Sequence, residues 1–208
     1  MYFAGSSEIF GNANTYPQNE ETAYNPRSVY GISKLSSHCL VKTYRDLYKI
    51  YACTGFTYNH ESPRRGLSFV TRKITSAAAA ISLGLENILE MGNIDACRDW
   101  GYAPDYVNAM FLMLQQKQPK DYVIATGQLH SVRDVLDMAF SYVGLDFGKY
   151  VVVNDAFIRP DERVPLVGDS TKIVRELEWK CTKNLTEIIH EMVESDLRRL
   201  SVCSKGGR

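Results

Sequence analysis

The stretch Tyr2-Phe-Ala-Gly-Ser-Ser-Glu8 indicates the fold, because a short apolar strand runs directly into two serines and a glutamate. In open α/β sheets, ligands bind just beyond the carboxyl ends of the strands. Polar side chains in that position are therefore candidates for a site. Short apolar runs alternate with amphipathic stretches along the rest of the chain, which is typical of α/β architecture.

Apolar periodicity and turn residues predict where the other elements lie. The expected helices cover Pro26 to about Tyr48 and then 69–83, 104–114, 131–143, 170–177 and 185 to about 200, with Ser131 as a cap, and the expected strands cover 52–58, 87–91, 122–125 and 150–153. Residues 12–25 predict a loop over the site, and 59–66 predict a loop leaving strand 52–58. Both loops should converge on one sheet edge, and the tail from Ser201 should be frayed.

Tyr30-Gly-Ile-Ser-Lys34 puts a phenol and an ammonium four residues apart. On a helix, residues at this spacing share one face. A phenol is a poor base at neutral pH because its unperturbed pKa is near ~10, and a neighbouring ammonium favours the phenolate. The pair predicts a tyrosine base, tuned by lysine, that takes a proton from an alcohol. With 13 tyrosines in the chain a chance pair is also expected, so the interpretation depends on Ser6, Ser7 and Glu8.

The composition of the chain limits which classes of protein and which partners are expected. The 24 basic and 24 acidic residues cancel, so nothing points to nucleic acid or a membrane surface as partner. No run approaches eighteen apolar residues, and no signal peptide pattern is seen. The five cysteines are scattered without a Cys-x-x-Cys pair. This favours reduced thiols in a cytoplasmic protein over a disulfide framework or a zinc site, and we expect no metal.

Several longer motifs follow one another in a fixed order. They are Asn59-His-Glu-Ser-Pro-Arg-Arg-Gly66, Phe69-Val-Thr-Arg-Lys73, Arg98-Asp-Trp-Gly101 with Asp105-Tyr-Val107, Ala125-Thr-Gly127 with His130-Ser-Val132, and Arg159-Pro-Asp-Glu162. Together they resemble the GDP-mannose 4,6-dehydratases of the extended short-chain dehydrogenase/reductase superfamily. The resemblance extends from Ser6 to Asp196, which makes it far more specific than any one motif.

This resemblance implies a fold in two parts. Residues 1–66 would form the C-terminal portion of an NADP-binding, Rossmann-like parallel sheet. Residues 67–208 would mainly form a smaller, mixed α/β sugar-nucleotide-binding domain. The strand near 122–125 would return to the Rossmann-like sheet.

The resemblance also implies an NADP-dependent lyase that converts GDP-mannose to GDP-4-keto-6-deoxymannose. Tyr30 would be the base on the C4 hydroxyl while hydride passes to NADP, and the C4 ketone would acidify the C5 proton. Glu8 would remove that proton and help expel water from C6. Ser6 matches a hydroxyl residue near C4 that is usually threonine. Hydride would then return to C6, so the cofactor is not consumed.

Binding residues follow from the same resemblance. Cofactor contacts are expected from Tyr30, Lys34, His60 and Arg65, and contacts to GDP-mannose or a similar nucleotide sugar from Asn59, Lys73, Arg98, Arg159 and Glu162. Independently, an arginine fork in a loop suits a phosphate. A solvated surface charge is the alternative for each lysine and arginine. Family members are dimers or tetramers, so a homo-oligomer is expected.

No Gly-x-x-Gly-x-x-Gly loop precedes the candidate site. In the superfamily this loop receives the cofactor pyrophosphate at a helix N-terminus. The resemblance therefore implies that the chain starts at a late strand, roughly two-fifths into a family member. It predicts weak NADP binding and little activity for this polypeptide alone.

Three interpretations stay open at this point. The first is the GDP-mannose dehydratase, the second a dehydratase or epimerase of another nucleotide sugar, and the third a non-catalytic binding or assembly module. Glu8 speaks against a simple epimerase, because its expected role is proton removal at C5.

Overall fold

Short strands and helices alternate along the chain in the computed structural model, which describes residues 1–157 and 164–205. The strands are β1 (Tyr2–Ala4), β2 (Cys53–Thr57), β3 (Asn59–Glu61), β4 (Leu89–Met91), β5 (Cys97–Arg98), β6 (Trp100–Tyr102), β7 (Tyr122–Ile124), β8 (His130–Ser131) and β9 (Val151–Val153). The α-helices are α1 (Val29–Tyr48), α2 (Val70–Ser82), α3 (Ala103–Leu114), α4 (Val132–Tyr142), α5 (Thr171–Leu177) and α6 (Leu185–Lys205). Turns of 3-10 helix lie at Ser7–Ile9, Phe147–Lys149 and Asp155–Phe157. The alternation confirms the predicted α/β class.

A parallel sheet with strand order β1-β2-β7 positions the candidate site. Tyr2 lies opposite Cys53 in the first pair, and Phe56 lies opposite Val123 in the second. Because all three strands run in one direction, the residues that follow β1 and β2 meet at the same sheet edge. The carboxyl ends of β1 and β2 therefore share one edge, while the convergence of the whole loops 12–25 and 59–66 stays a prediction.

Strands β2 and β7 are buried on both faces, as is usual in parallel sheets, whereas β1 is only partly buried. Successive residues of β7 point to opposite faces. Tyr122 and Ile124 join a core formed with α3 and α5, whose buried members are Cys53, Tyr106, Ala109, Met113, Ile173, Leu177 and Trp179. Val123 joins a second core, whose other members are Ile9, Phe10, Ala13, Phe56, Tyr58, Ala125 and Leu166. Burial of each large apolar side chain contributes about 1.5–3 kcal/mol.

Three helices, α2, α4 and α6, pack on one another in a second body of the chain. The run Ala77-Ala-Ala-Ala80 is buried on α2, where small side chains allow close helix packing. Ser131 caps α4 as predicted: its hydroxyl accepts the backbone N–H of Asp134 while the Asp134 carboxylate accepts the N–H of Ser131. In the same body β4 pairs in parallel with β9.

Two local predictions were wrong. Asn59–Glu61 is strand β3, paired with β6, where the sequence predicted loop from residue 59. The three residues are too few to show a strand pattern, and the proline and glycine beyond them dominate the local signal. Helix α6 continues to Lys205, beyond the predicted end near residue 200.

The described residues fall into two compact units. One lies within Met1–His60, Arg98–Leu129 and Arg163–Thr182, and the other within Glu61–Cys97, His130–Glu162 and Lys183–Arg208. The functional domain boundary at residue 66 stays a prediction. In the described part of the chain, no helix has the length and apolar character needed to cross a membrane.

Candidate active site

The segment that follows β1 turns immediately into a 3-10 helix. Ser6 is its N-cap, and the Ser6 hydroxyl accepts the backbone N–H of Glu8 at 3.2 Å. Ser6 and Ser7 are buried, whereas Glu8 is partly exposed. The structure therefore holds the Ser6 hydroxyl against the backbone and leaves the Glu8 carboxylate within reach of solvent.

Helix α1 carries the tyrosine and the lysine. Ser28 caps it by accepting the backbone N–H of Gly31 at 3.0 Å, which fixes where the first turn begins. Tyr30 in that turn is 54% exposed. The ammonium of Lys34 lies 5.6 Å from the centre of the Tyr30 ring and donates a 2.9 Å hydrogen bond to the carbonyl of Ala4, the last residue of β1. Lys34 thus ties the helix to the strand beside Tyr30.

Gly31 brings α1 and the Glu8 segment together. A Cβ at this position would lie only 2.5 Å from the carbonyl oxygen of Glu8. Only glycine permits this approach. Tyr30 and Glu8 are therefore held on neighbouring segments whose backbones are in direct contact.

His60 lies on β3, where its Nδ1 donates to the Tyr58 carbonyl at 2.8 Å. Its ring stacks on Tyr106 with 4.8 Å between ring centres and a 25° interplanar angle. These contacts fix the ring orientation. Asn59 precedes it on the same strand and is partly exposed.

Arg98, on β5, is followed by a buried carboxylate that the motif analysis did not single out. Asp99 accepts the Thr126 N–H at 2.9 Å, the Thr126 hydroxyl at 2.6 Å and the Gly127 N–H at 2.9 Å. Burial raises the pKa of Asp99, and these hydrogen bonds oppose that effect. Asp99 joins the segment that contains Arg98 to the turn after β7.

A second group of residues surrounds Arg65. Its Nε lies 3.4 Å from Oε2 of Glu61, and its guanidinium stacks 3.7 Å from the centre of the Phe69 ring. The Thr71 hydroxyl donates to the same Glu61 oxygen at 2.6 Å. Burial raises the pKa of Glu61, opposed by Arg65 and by the Thr71 hydrogen bond.

The backbone of Arg65 is fixed as well. Arg72 donates from Nε to the Arg65 carbonyl at 3.2 Å and forms an ion pair with the fully buried Asp196 of α6. Sequence reasoning missed Glu61, Arg72 and Asp196 as members of the site. No sequence signal pairs Arg72 with Asp196, because the two residues are 124 positions apart.

The remaining predicted residues lie in the second unit or outside the described part of the chain. Lys73 on α2 donates to the Glu90 carbonyl at 2.5 Å and lies 5.1 Å from the centre of the Phe157 ring. Arg159 and Glu162 lie outside the described residues. The first unit therefore brings together Ser6, Glu8, Tyr30 and Lys34, whereas Arg65 and Lys73 belong to the second unit.

The comparisons of this chain with a family model and with known proteins agree on one family. A family model described as GDP-mannose 4,6 dehydratase matches residues 1–192. The chain is 48% identical over 196 residues to GDP-mannose 4,6 dehydratase 1 of Arabidopsis thaliana, covering 94% of this chain and 54% of that protein. It is 42% identical over 214 residues to the human GDP-mannose 4,6 dehydratase, covering 95% of this chain and 58% of that protein. The chain thus spans little more than half the length of these relatives.

Solved structures share the fold at lower identity. The Pseudomonas aeruginosa protein RMD, solved with NADPH, superimposes with a TM-score of 0.88 at 21% identity, over 95% of this chain and 66% of that chain. A dTDP-glucose 4,6-dehydratase from Bacillus anthracis, solved with NAD, gives a TM-score of 0.83 at 18% identity, over 96% of this chain and 62% of that one. At these identities the likeness extends to the fold alone.

Proposed function

This chain belongs to the GDP-mannose 4,6-dehydratase family, and from this premise we propose that it carries the catalytic residues for converting GDP-mannose to GDP-4-keto-6-deoxymannose. The observation that supports the proposal most is that helix α1, which carries Tyr30 and Lys34, packs against the backbone of the Glu8 segment at the end of β1. Lys34 bonds to the end of β1 and lies beside the Tyr30 ring, while Gly31 seats the helix on the Glu8 backbone.

Tyr30 is the proposed base on the C4 hydroxyl of the sugar. Its exposed side chain is accessible to a substrate, and the helix cap fixes the turn that presents it. Lys34 holds its positive charge 5.6 Å from the centre of the Tyr30 ring, beside the group proposed to take the proton from the alcohol. Its bond to Ala4 keeps the ammonium in place.

Glu8 is the proposed base for the C5 proton, and it assists loss of the C6 hydroxyl as water. A C4 ketone makes the C5 proton acidic, so a carboxylate suffices to remove it. Ser6 is the proposed hydrogen-bonding residue near C4. Reaching a sugar oxygen would require the Ser6 hydroxyl to donate while it still accepts the Glu8 N–H, and a hydroxyl can do both.

The described residues fit NADP as the cofactor. When bound, it would accept hydride from C4 and return it to C6. Among residues 1–157 and 164–205, the terminal nitrogens of Arg65 make no hydrogen bond, and such donors suit a phosphate group. We propose Arg65 with Tyr30, Lys34 and His60 as the residues that hold it.

Further parts of the proposal concern substrate and assembly. Asn59, Lys73, Arg98, Arg159 and Glu162 are the proposed contacts to the nucleotide sugar. Residues 1–66 are the proposed cofactor portion, and 67–208 mainly the sugar-nucleotide portion. We further propose that the protein is a cytoplasmic homo-oligomer.

The test is dehydration of GDP-mannose by the purified chain supplied with NADP, followed by mass spectrometry of the sugar nucleotide in deuterated water. Tyr30→Phe should lower the rate about 10²–10⁴-fold, since it removes the proton acceptor. Glu8→Gln should abolish both water loss and deuterium incorporation at C5. GDP-glucose and UDP-glucose, tested in parallel, report whether another nucleotide sugar is preferred.

Tyr44→Phe is the matched control, because it removes the same hydroxyl from an exposed tyrosine of the same helix. It should leave the rate within about twofold. Because little activity is expected of this polypeptide alone, the comparison is made on its residual rate, and equal rates for the Tyr30 and Tyr44 variants would contradict the proposal. Faster turnover of UDP-glucose would move the assignment to another nucleotide sugar.

A further inference from the structure

Arg65 differs from Arg45 and Arg72 in how its donors are used. Both terminal nitrogens of Arg45 donate hydrogen bonds to Asp121, at 2.8 Å each. Arg72 pairs with Asp196 through Nη1 and donates a hydrogen bond from Nε to the Arg65 carbonyl. Arg65 approaches its carboxylate, Glu61, through Nε at 3.4 Å, and neither of its terminal nitrogens forms a hydrogen bond within the described residues. A carboxylate that takes one edge of a guanidinium leaves the other edge for an anion.

The Arg65 side chain is also held in place from several directions. It is 23% exposed, stacks on Phe69 at 3.7 Å and has Glu61 on its Nε side at 3.4 Å. Its backbone N–H donates to the Ser62 carbonyl at 2.9 Å, and its carbonyl accepts from Arg72. A long cationic side chain ordinarily loses rotamer entropy on binding a ligand, and pre-orientation reduces that cost.

Glu61 is buried beside Arg65 and contacts both Arg65 and Thr71. Its side chain is 1% exposed, and a buried carboxylate is costly unless it is paired and hydrogen-bonded. Its Oε2 faces Arg65 and accepts the Thr71 hydroxyl at 2.6 Å, which fixes the carboxylate rotamer. Electrostatically, a negative charge beside Arg65 works against anion binding. A role in orientation explains why it lies there.

We propose that Glu61 is a positioning residue that, with Thr71 and Phe69, orients Arg65 so that its terminal nitrogens receive a phosphate group of the nucleotide. This rests on the proposed binding role of Arg65 and adds Glu61 and Thr71, which contact no ligand themselves. The effect is expected in ligand affinity, and it acts only through Arg65.

The test measures dissociation constants for two probes, NADPH and inorganic pyrophosphate, by calorimetry on the full chain. Arg65→Ala should weaken both by about tenfold or more. Glu61→Gln should weaken both by about tenfold, and Thr71→Val, which changes no charge, by about threefold. Neither change should alter affinity further when combined with Arg65→Ala, because the effect passes through that side chain.

Two controls match these changes. Arg64→Ala removes the adjacent, exposed arginine, and Glu86→Gln neutralises an exposed glutamate of the same unit. Both should leave affinity within about twofold. Melting temperatures of all variants show whether they remain folded.

The possible outcomes distinguish failure of the positioning role from failure of the proposed cofactor contact. If Glu61 acted only as a charge, Glu61→Gln would tighten binding of both probes, and the proposal would be wrong. It would also be wrong if Glu61→Gln weakened binding equally with and without Arg65, or if Arg65→Ala had no effect. Pyrophosphate binding that depends on Arg65 and Glu61 would support the positioning role even if NADPH binding is as weak as the sequence predicts. NADPH binding that is unaffected by Arg65→Ala, beside pyrophosphate binding that depends on Arg65, would contradict the proposed cofactor contact.

Discussion

The Asp121 carboxylate shows how one residue joins separate elements. It accepts both terminal nitrogens of Arg45, at 2.8 Å each, and the backbone N–H of Thr54 at 2.7 Å. Burial alone would raise the pKa of Asp121, but the hydrogen bonds from Arg45 and Thr54 outweigh it and the pKa is lowered from 3.8. A lowered folded-state pKa stabilises the fold above the unfolded value, and this stabilisation is lost as pH falls through the folded value.

Asp121→Asn should therefore destabilise the chain by about 1–3 kcal/mol at pH 7, because Arg45 loses a charge-assisted partner. The loss should begin to shrink below about pH 4, where Asp121 of the unfolded chain becomes protonated, and should shrink further as the pH falls through the lowered pKa of the folded state. Urea unfolding at pH 7 and pH 3 measures both. Asp46→Asn is the control, since Asp46 lies 4.0 Å from the same arginine but is exposed. Equal losses of unfolding free energy in the two variants would show that the buried Asp121–Arg45 pair stabilises the chain no more than the exposed Asp46 does.

At the scale of elements, the contact between α1 and the turn after β1 depends on Gly31. Alanine normally stabilises a helix interior by about 0.5–1 kcal/mol relative to glycine. Here the added methyl would meet the Glu8 carbonyl at 2.5 Å, and backbone cannot rotate away as a side chain could. Forcing such overpacking costs about 1–3 kcal/mol.

Gly31→Ala is therefore expected to destabilise the chain by about 1 kcal/mol or more, despite its helix propensity. Urea unfolding measures the change. Ser36→Ala, at an exposed position of the same helix, should be neutral or slightly stabilising. An increase in stability on Gly31→Ala would mean that the two segments can separate freely.

Whole-molecule organisation is most visible in the second unit, where α2 and α6 are joined through buried charge. Asp196 is 0% exposed. It pairs with Arg72, accepts the Thr75 hydroxyl at 3.0 Å and receives Arg199 at 3.2 Å. Removal of one partner from a buried pair leaves an uncompensated charge, which is more damaging than the net worth of the pair.

We expect Asp196→Asn to cost about 3–5 kcal/mol and to increase hydrogen exchange in α2 and α6. Glu194→Gln is the control: its side chain is 49% exposed in an ion pair with Arg198, so the cost should be below about 1 kcal/mol. Thermal unfolding with exchange mass spectrometry measures both. A cost below about 1 kcal/mol for Asp196→Asn would show that water or a local shift satisfies Arg72.

The sequence by itself determined the α/β class, the register of Tyr30 and Lys34 on one helix face, and the helix cap at Ser131. These features depend on residues within four positions of one another, so local periodicity and capping chemistry are sufficient. The motif resemblance identified the family that the comparisons then supported.

The tertiary structure decided the rest. Strand β3 forms only because β6 pairs with it, and Arg72 meets Asp196 across 124 positions of sequence. Which nitrogens of Arg65 remain unused depends likewise on its contact with Glu61 through Nε. Burial and hydrogen bonding between distant segments select these partners, and no local pattern encodes which distant residue will be adjacent.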